Sequence, residues 1–156
     1  MRQCGCRLIH FGIESGSQRI LNLMNKKTTQ RSIQKAVDSA HKAGMQTACF
    51  FLLGFPGESP QEMRDTLKLA RSLNPTYASF HIVTPYPETS LYESALSQDR
   101  FPRYCRTGLN PDDLEKFVRH AFLSYYIRPG YLIGHIFRGS PRLWRKHLDL
   151  LLEFIK

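Results

Sequence analysis

Cys49 to Leu53 is an unbroken run of five apolar residues that passes directly into Gly54-Phe55-Pro56-Gly57-Glu58, after which Ser59-Pro60 opens a helix. A continuous apolar run of strand length between turn signals predicts a strand buried on both faces, as in a parallel sheet. Such sheets gather their chemistry where strands end and helices begin. The residues just after Leu53 are therefore the first place to look for function.

Read in order, the chain alternates strand and helix. Leu8 to Ile13 is a strand candidate, and Ser17 is a good N-cap for a helix carrying Ile20, Leu21, Leu23 and Met24. Thr28 or Thr29 caps the next helix, whose Ile33, Ala36, Val37 and Ala40 follow helical spacing up to Gly44, a suitable left-handed C-cap. Met45 to Leu53 is the second strand. Ser59-Pro60-Gln61-Glu62 combines a capping box with proline at the first helical position, and Met63, Leu67, Ala70 and Leu73 face inward from that helix. Asn74-Pro75 ends it, Tyr77 to Thr84 is the third strand, and Pro85-Tyr86-Pro87 stops that strand. A short helix is expected from Ser90 to Leu96.

This β-α-β-α-β order implies a parallel sheet with right-handed crossovers. Three strands fall short of a closed barrel, so sheet edges and an inner face need cover. The first strand's edge should template aggregation, or a dimer pairing at Leu8 to Ile13, unless covered. Beyond residue 97 the character changes. Gln98 to Leu109 reads as a polar, basic linker, and a helix starts at Asn110-Pro111-Asp112-Asp113 and ends at Arg128-Pro129-Gly130. A last helix opens at Ser140-Pro141, with Trp144, Leu148, Leu151, Leu152 and Ile155 as its stripe.

Charge follows the same division. The net charge is +9, and residues 100–156 hold 11 Lys or Arg against 5 Asp or Glu. Such a basic tail serves solubility or partner docking, with an anionic membrane surface as an alternative; nucleic acid is not expected. No window approaches the roughly 20 apolar residues of a membrane span. With no apolar signal region at the start and four cysteines read as reduced thiols, a cytoplasmic location is expected. Cys4 and Cys6 lack two further ligands at zinc spacing, so no metal site is expected. The histidines are scattered: His10 and His81 lie in strands, while the others have no partner at ligand spacing.

Three strand ends carry the candidate chemistry. Glu14-Ser15-Gly16-Ser17 places a carboxylate and hydroxyls before a helix N-terminus, which suits a polyol such as ribose; a capped turn with an exposed acid is the alternative. Gly54 to Glu58 lacks the Gly-Lys-Ser/Thr ending of a phosphate loop. Gly54 fits better where a planar ligand approaches the backbone, although an ordinary βα turn has the same sequence. Thr84-Pro85 ends the third strand on the same rim, so Glu14, Ser15, Gly54 and Thr84 should line one pocket mouth.

Phe11-Gly12-Ile13-Glu14-Ser15-Gly16-Ser17, Phe51-Leu52-Leu53-Gly54-Phe55-Pro56-Gly57-Glu58 and Val83-Thr84-Pro85-Tyr86-Pro87-Glu88-Thr89 with Leu91-Tyr92, in that order, resemble the radical S-adenosylmethionine (radical SAM) enzymes. The likeness is nearest to the class carrying a cobalamin-binding domain ahead of the barrel. The resemblance implies an α/β fold, the βαβαβ half of a partial (βα)6 TIM-like barrel holding strands four to six over residues 1–97. Residues 98–156 would then be a linker and basic helical extension. It further implies that Glu14 and Ser15 contact the cofactor ribose. Arg19 becomes a candidate partner for the substrate carboxylate or for Glu14. Leu53, Gly54, Val83, Thr84 and Pro85 would form the adenine shelf. Cys6 matches a cysteine that is not a cluster ligand.

In that family a 4Fe–4S cluster reductively cleaves S-adenosylmethionine to a 5′-deoxyadenosyl radical, and some members also use cobalamin. The family's C-x-x-x-C-x-x-C cluster ligands and its Gly-Gly-Glu stretch are absent from this sequence. The expectation is a chain that starts at an internal methionine or substitute start, inactive alone, and completed by a missing barrel half or a cluster-bearing partner. The alternatives are a separately expressed subunit and a non-catalytic βα binding module with a docking tail.

Overall fold

The computed structural model describes residues 1–89, 91–93 and 110–138, the side chains of 111 and 134–138 aside. Its elements are β1 (Leu8–Glu14), α1 (Gln18–Leu23), α2 (Gln30–Lys42), β2 (Gln46–Leu53), α3 (Pro60–Leu73), β3 (Tyr77–Ile82), α4 (Pro111–Tyr126) and α5 (Pro129–Arg138). The strands form one parallel sheet in the order β1-β2-β3. Strand–helix alternation therefore produces the α/β fold expected of it.

The caps fall where the side chains dictate. Thr29 and Ser59 each close a reciprocal capping box, with Ser32 and Glu62 as the returning partners. Asn74 ends α3 in the left-handed conformation at φ 46°. Asn110 caps α4 by accepting from the Asp113 N–H. Three strand boundaries differ from the sequence reading: β1 extends to Glu14, β2 starts at Gln46 rather than Met45, and β3 stops at Ile82 rather than Thr84. α4 ends at Tyr126, with Ile127 as its C-cap, just before Arg128-Pro129-Gly130 as the sequence predicts; what the sequence reading lacks is the helix that follows. Proline tolerates the first turn of a helix, and α5 starts on it. Residues 91–93 are helical as expected, while the linker at 98–109 and the last helix from 140 lie outside the described residues.

The core lies on one face of the sheet. Ile13 of β1, Cys49, Phe51 and Leu53 of β2 and Ala78 and Phe80 of β3 pack against Leu21, Val37, Met63, Leu73, Leu114 and Tyr125 from the helices. Among the described residues the opposite face is open: Phe50 and Leu52 are only half-buried, and His10 and His81 are exposed. The central strand is thus covered, among the described residues, on one face only, where its apolar run had suggested cover on both. β1 pairs with β2 alone among the described residues.

The outer edge of β3 is covered by side chains of α4 and α5. The Tyr126 hydroxyl donates to the Ala78 carbonyl and accepts from the Ala78 N–H, at 2.8 and 2.9 Å. Tyr125 and Tyr131 donate to the carbonyls of Pro75 and Thr76, at 2.5 and 2.8 Å. Buried backbone groups left unpaired are costly, and these hydroxyls satisfy one carbonyl on the edge of β3 and two in the segment leading into it. Arg128 stacks on the Tyr125 ring, 4.3 Å from its centroid.

Candidate functional site

The carboxyl ends of the three strands open on a cavity of about 1020 Å³, whose walls include Glu14, Lys26, Phe55, Val83 and Thr84. Local backbone geometry sets each wall. The β1–β2 register shifts between Gly12 and Glu14, a bulge that turns the end of β1. Glu14 itself sits at φ 69°, uncommon for a residue with a side chain and a form of strain often kept at binding sites. Its carboxylate is largely buried and accepts from Lys26 Nζ at 2.8 Å. A Cβ on Gly12 would lie 2.7 Å from Glu14 Oε1, so glycine there leaves the carboxylate its place.

Ser15 is fully buried and turned toward α3. Its hydroxyl lies 3.3 Å from that of Thr66 and accepts from the Ser17 N–H, while Gly16 donates to Thr66 Oγ1 at 2.8 Å. A Cβ on Gly16 would sit 2.5 Å from the Asp65 carbonyl oxygen. The Glu-Ser-Gly-Ser turn is thereby clamped to α3 by groups that only small residues allow.

The Gly54–Glu58 turn is closed from within by Glu58. That side chain is 1% exposed, and its Oε2 accepts from the N–H groups of Gly54 and Phe55 at 2.7 and 3.1 Å. Its other oxygen, Oε1, has no hydrogen-bond partner. Burial pushes the Glu58 carboxyl up to about 7, against the lowering effect of the two backbone N–H groups. Gly54 has φ 83°, and a Cβ there would meet Leu114 Cδ2 at 2.6 Å. α4 thus presses directly on the turn.

Arg19 does not meet Glu14. It donates through Nε and Nη2 to the two oxygens of Glu62, at 2.9 and 2.6 Å, and through Nη2 to the Gly57 carbonyl. The Arg19 guanidinium holds the Glu62 carboxyl well below the usual carboxylate range. The physical reason is position: Glu62, fixed by the Ser59 capping box, lies beside α1, and Lys26 has taken Glu14. Arg19 therefore ties α1 to the Gly54–Glu58 turn and α3.

Of the residues expected at the site, the structure brings Glu14, Val83 and Thr84 together on the cavity wall. Pro85 follows in the same turn. Leu53 and Gly54 lie behind the wall: Leu53 is core, and its carbonyl accepts from the Val83 N–H at 2.9 Å. Phe55 and Leu52 face the cavity in their place. Sequence reasoning missed Lys26 as the partner of Glu14, Glu58 as the internal brace of the turn, and Thr66 as the anchor of Ser15. Only Glu58 had a local signal, an acid closing a Gly-x-x-Gly turn. Cys49 is buried, and burial pushes its thiol up to about 12, which leaves it a small core residue. Among the described residues no group of three or more His, Cys, Asp or Glu could hold a metal ion, and no helix is long and apolar enough to cross a membrane.

Residues 1–70 match the model of the radical SAM superfamily. An uncharacterized methyltransferase of Pyrococcus horikoshii is 36% identical, over 98% of this chain and 36% of its own length. The anaerobic magnesium-protoporphyrin IX monomethyl ester cyclase of Cereibacter sphaeroides is 28% identical over 99% of this chain and 27% of its own length. The chain thus spans about a third of the length of these relatives. Among solved structures, the radical S-adenosylmethionine methyltransferase TsrM of Kitasatospora setae, determined with cobalamin and a [4Fe-4S] cluster bound, superposes with a TM-score of 0.55. It is 22% identical, and the likeness covers 60% of this chain and 19% of that one.

Proposed function

We propose that this chain, which belongs to the radical SAM superfamily, contributes the ribose and adenine side of an S-adenosylmethionine pocket. The observation that supports this most is the convergence of three strand ends, from β1 (Glu14), β2 (Phe55) and β3 (Val83, Thr84), on one cavity. The donor set fits a nucleoside. A carboxylate accepts from a pair of sugar hydroxyls, and Phe55 with Val83 offers apolar surface to a flat base.

In this reading Glu14 binds the ribose, its charge balanced by Lys26 rather than by Arg19. Ser15 supports Glu14 from behind through Thr66 and shares the ribose-contacting turn. Phe55, Val83 and Thr84, followed by Pro85, make the adenine shelf, with Leu53 and Gly54 backing it and Glu58 holding Gly54 and Phe55 in place. Arg19 is a positioning residue, locking α1 to the turn through Glu62 and Gly57. Residues 1–97 belong to the later strands of a partial barrel, and 98–156 to a linker and basic extension that follows them. The last residues then supply a basic surface for a partner or a membrane.

When bound at a 4Fe–4S cluster, S-adenosylmethionine supplies a 5′-deoxyadenosyl radical. The cluster does not fit the residues present, since the described cysteines do not converge and the sequence lacks the three-cysteine spacing. The chain's own contribution is to bind and orient the adenosyl group, with methyl transfer or ring cyclisation as the reaction classes of its relatives. Anaerobic reconstitution with iron and sulfide tests this division. The expected result is no stoichiometric 4Fe–4S binding and no 5′-deoxyadenosine; stoichiometric cluster binding would overturn it.

A further inference from the structure

The open sheet face beside the cavity is richer in rings and apolar surface than nucleoside binding requires. His10, Phe50 and His81, one from each strand, form a row with near-parallel planes. The His10 and Phe50 centroids are 5.6 Å apart at 24°, and those of Phe50 and His81 are 6.3 Å apart at 18°. Both imidazoles are exposed, and Phe50 between them is only half-buried. His81 is fixed by a 2.8 Å hydrogen bond between its Nε2 and Ser79 Oγ. The row is continuous with the cavity, because His81 belongs to both.

Two of the most exposed large apolar residues described stand on the rim of the same cavity. Leu23 is 54% exposed and Tyr86 70%, while Ile127 and Ile133 lie away from it in the α4–α5 region. Exposed apolar side chains are ordinary when scattered, but here they converge on a concavity. A volume of about 1020 Å³ is at the upper end for a pocket taking one drug-sized ligand, and so leaves room beside the adenosyl group.

We infer that the substrate of this site is a flat, conjugated ring compound bearing hydrogen-bonding groups at its edge, held along His10–Phe50–His81 and against Leu23 and Tyr86. The inference rests on the reading of the cavity as the S-adenosylmethionine pocket, and it assigns the space next to the adenosyl group. An aliphatic chain would use Leu23 and Tyr86 but gain little from three rings in line. A ring system gains from aromatic contacts, and imidazoles at both ends of the row present hydrogen-bonding groups to its edge.

The probe is protoporphyrin IX, titrated into the chain and followed by its fluorescence, with palmitate as a competitor. The expected result is saturable binding, weakened about tenfold by Phe50→Ala and by the paired change Leu23→Ser with Tyr86→Ser, as for loss of strong aromatic contacts. These residues are exposed or half-buried, and a melting curve for each variant checks that the fold is kept. His10→Ala and His81→Ala, both at exposed positions, give an independent reading of the row. No saturable binding, binding unchanged in every variant, or full displacement by palmitate would overturn the inference. S-adenosylhomocysteine is titrated separately: its binding with no porphyrin bound defeats the substrate inference alone, whereas porphyrin binding without it defeats the cofactor reading.

Discussion

The hydroxyl of Tyr126 serves both backbone groups of Ala78, donating to its carbonyl at 2.8 Å and accepting from its N–H at 2.9 Å. One phenol on α4 thus does for the outer edge of β3 what a fourth strand would otherwise do. Removing it leaves a buried N–H and a buried carbonyl short of a partner. Tyr126→Phe is therefore expected to cost about 1–3 kcal/mol, visible as a lower urea midpoint. An unchanged midpoint would mean that α4 does not protect that edge.

Gly54 and Gly57 offer a controlled comparison within one turn. Both have positive φ, 83° and 76°, but a Cβ meets Leu114 at 2.6 Å at Gly54 and nothing within 4 Å at Gly57. Gly57→Ala should cost about 1 kcal/mol from backbone strain alone. Gly54→Ala should cost about 1–3 kcal/mol more, because Leu114 must move out of a packed core. Equal melting temperatures for the two variants would show that α4 does not press on the turn.

Glu58 and Glu62 predict a stability maximum on the acid side of neutrality. Burial raises the Glu58 carboxyl to about 7 from an ordinary value of 4.5, so between those pH values the folded state keeps a proton that the unfolded state has lost. Stability should fall as pH rises through that window. Glu62 works in the opposite sense. Its depressed value, caused first by the Arg19 hydrogen bond, gives stability present above 4.5 and lost as pH falls below it. Glu58→Gln should flatten the decline between pH 4.5 and 7 in urea titrations, and leave the acid limb in place. A decline that persists in this variant would assign it to another group.

Lys26 matters through Glu14. Lys26→Met leaves a largely buried carboxylate without its 2.8 Å partner, and Gly12→Ala drives a methyl group against the same oxygen. Each should weaken binding of S-adenosylhomocysteine about tenfold, the scale of one charge-assisted hydrogen bond. Lys26→Arg should restore most of the affinity. Calorimetric titration reads the effect, and equal affinities across the set would detach Glu14 from the ligand.

The fold was readable because its signals are local. Capping boxes at Thr29 and Ser59, the Asn74-Pro75 stop and the apolar run of β2 each act within a few residues, and together they specify α/β alternation. The site was readable only as a set of strand ends. Which side chain faces the cavity depends on the bulge after Gly12 and on pairings between residues far apart in sequence: Arg19 with Glu62, Ser15 with Thr66, and Gly54 against Leu114. Nothing within a single segment specifies those contacts. The open face of β2 was missed for a related reason, since an apolar run looks the same whether helices or a ligand cover its second face.

The central claim is that this chain holds the adenosyl side of the pocket, and amide chemical shifts followed during titration with S-adenosylhomocysteine test it most directly. The account predicts saturable shifts grouped at Glu14, Phe55, Val83 and Thr84, weakened in Glu14→Gln. Shifts that do not saturate, or that fall mainly on α2 and the far end of the sheet, would contradict it.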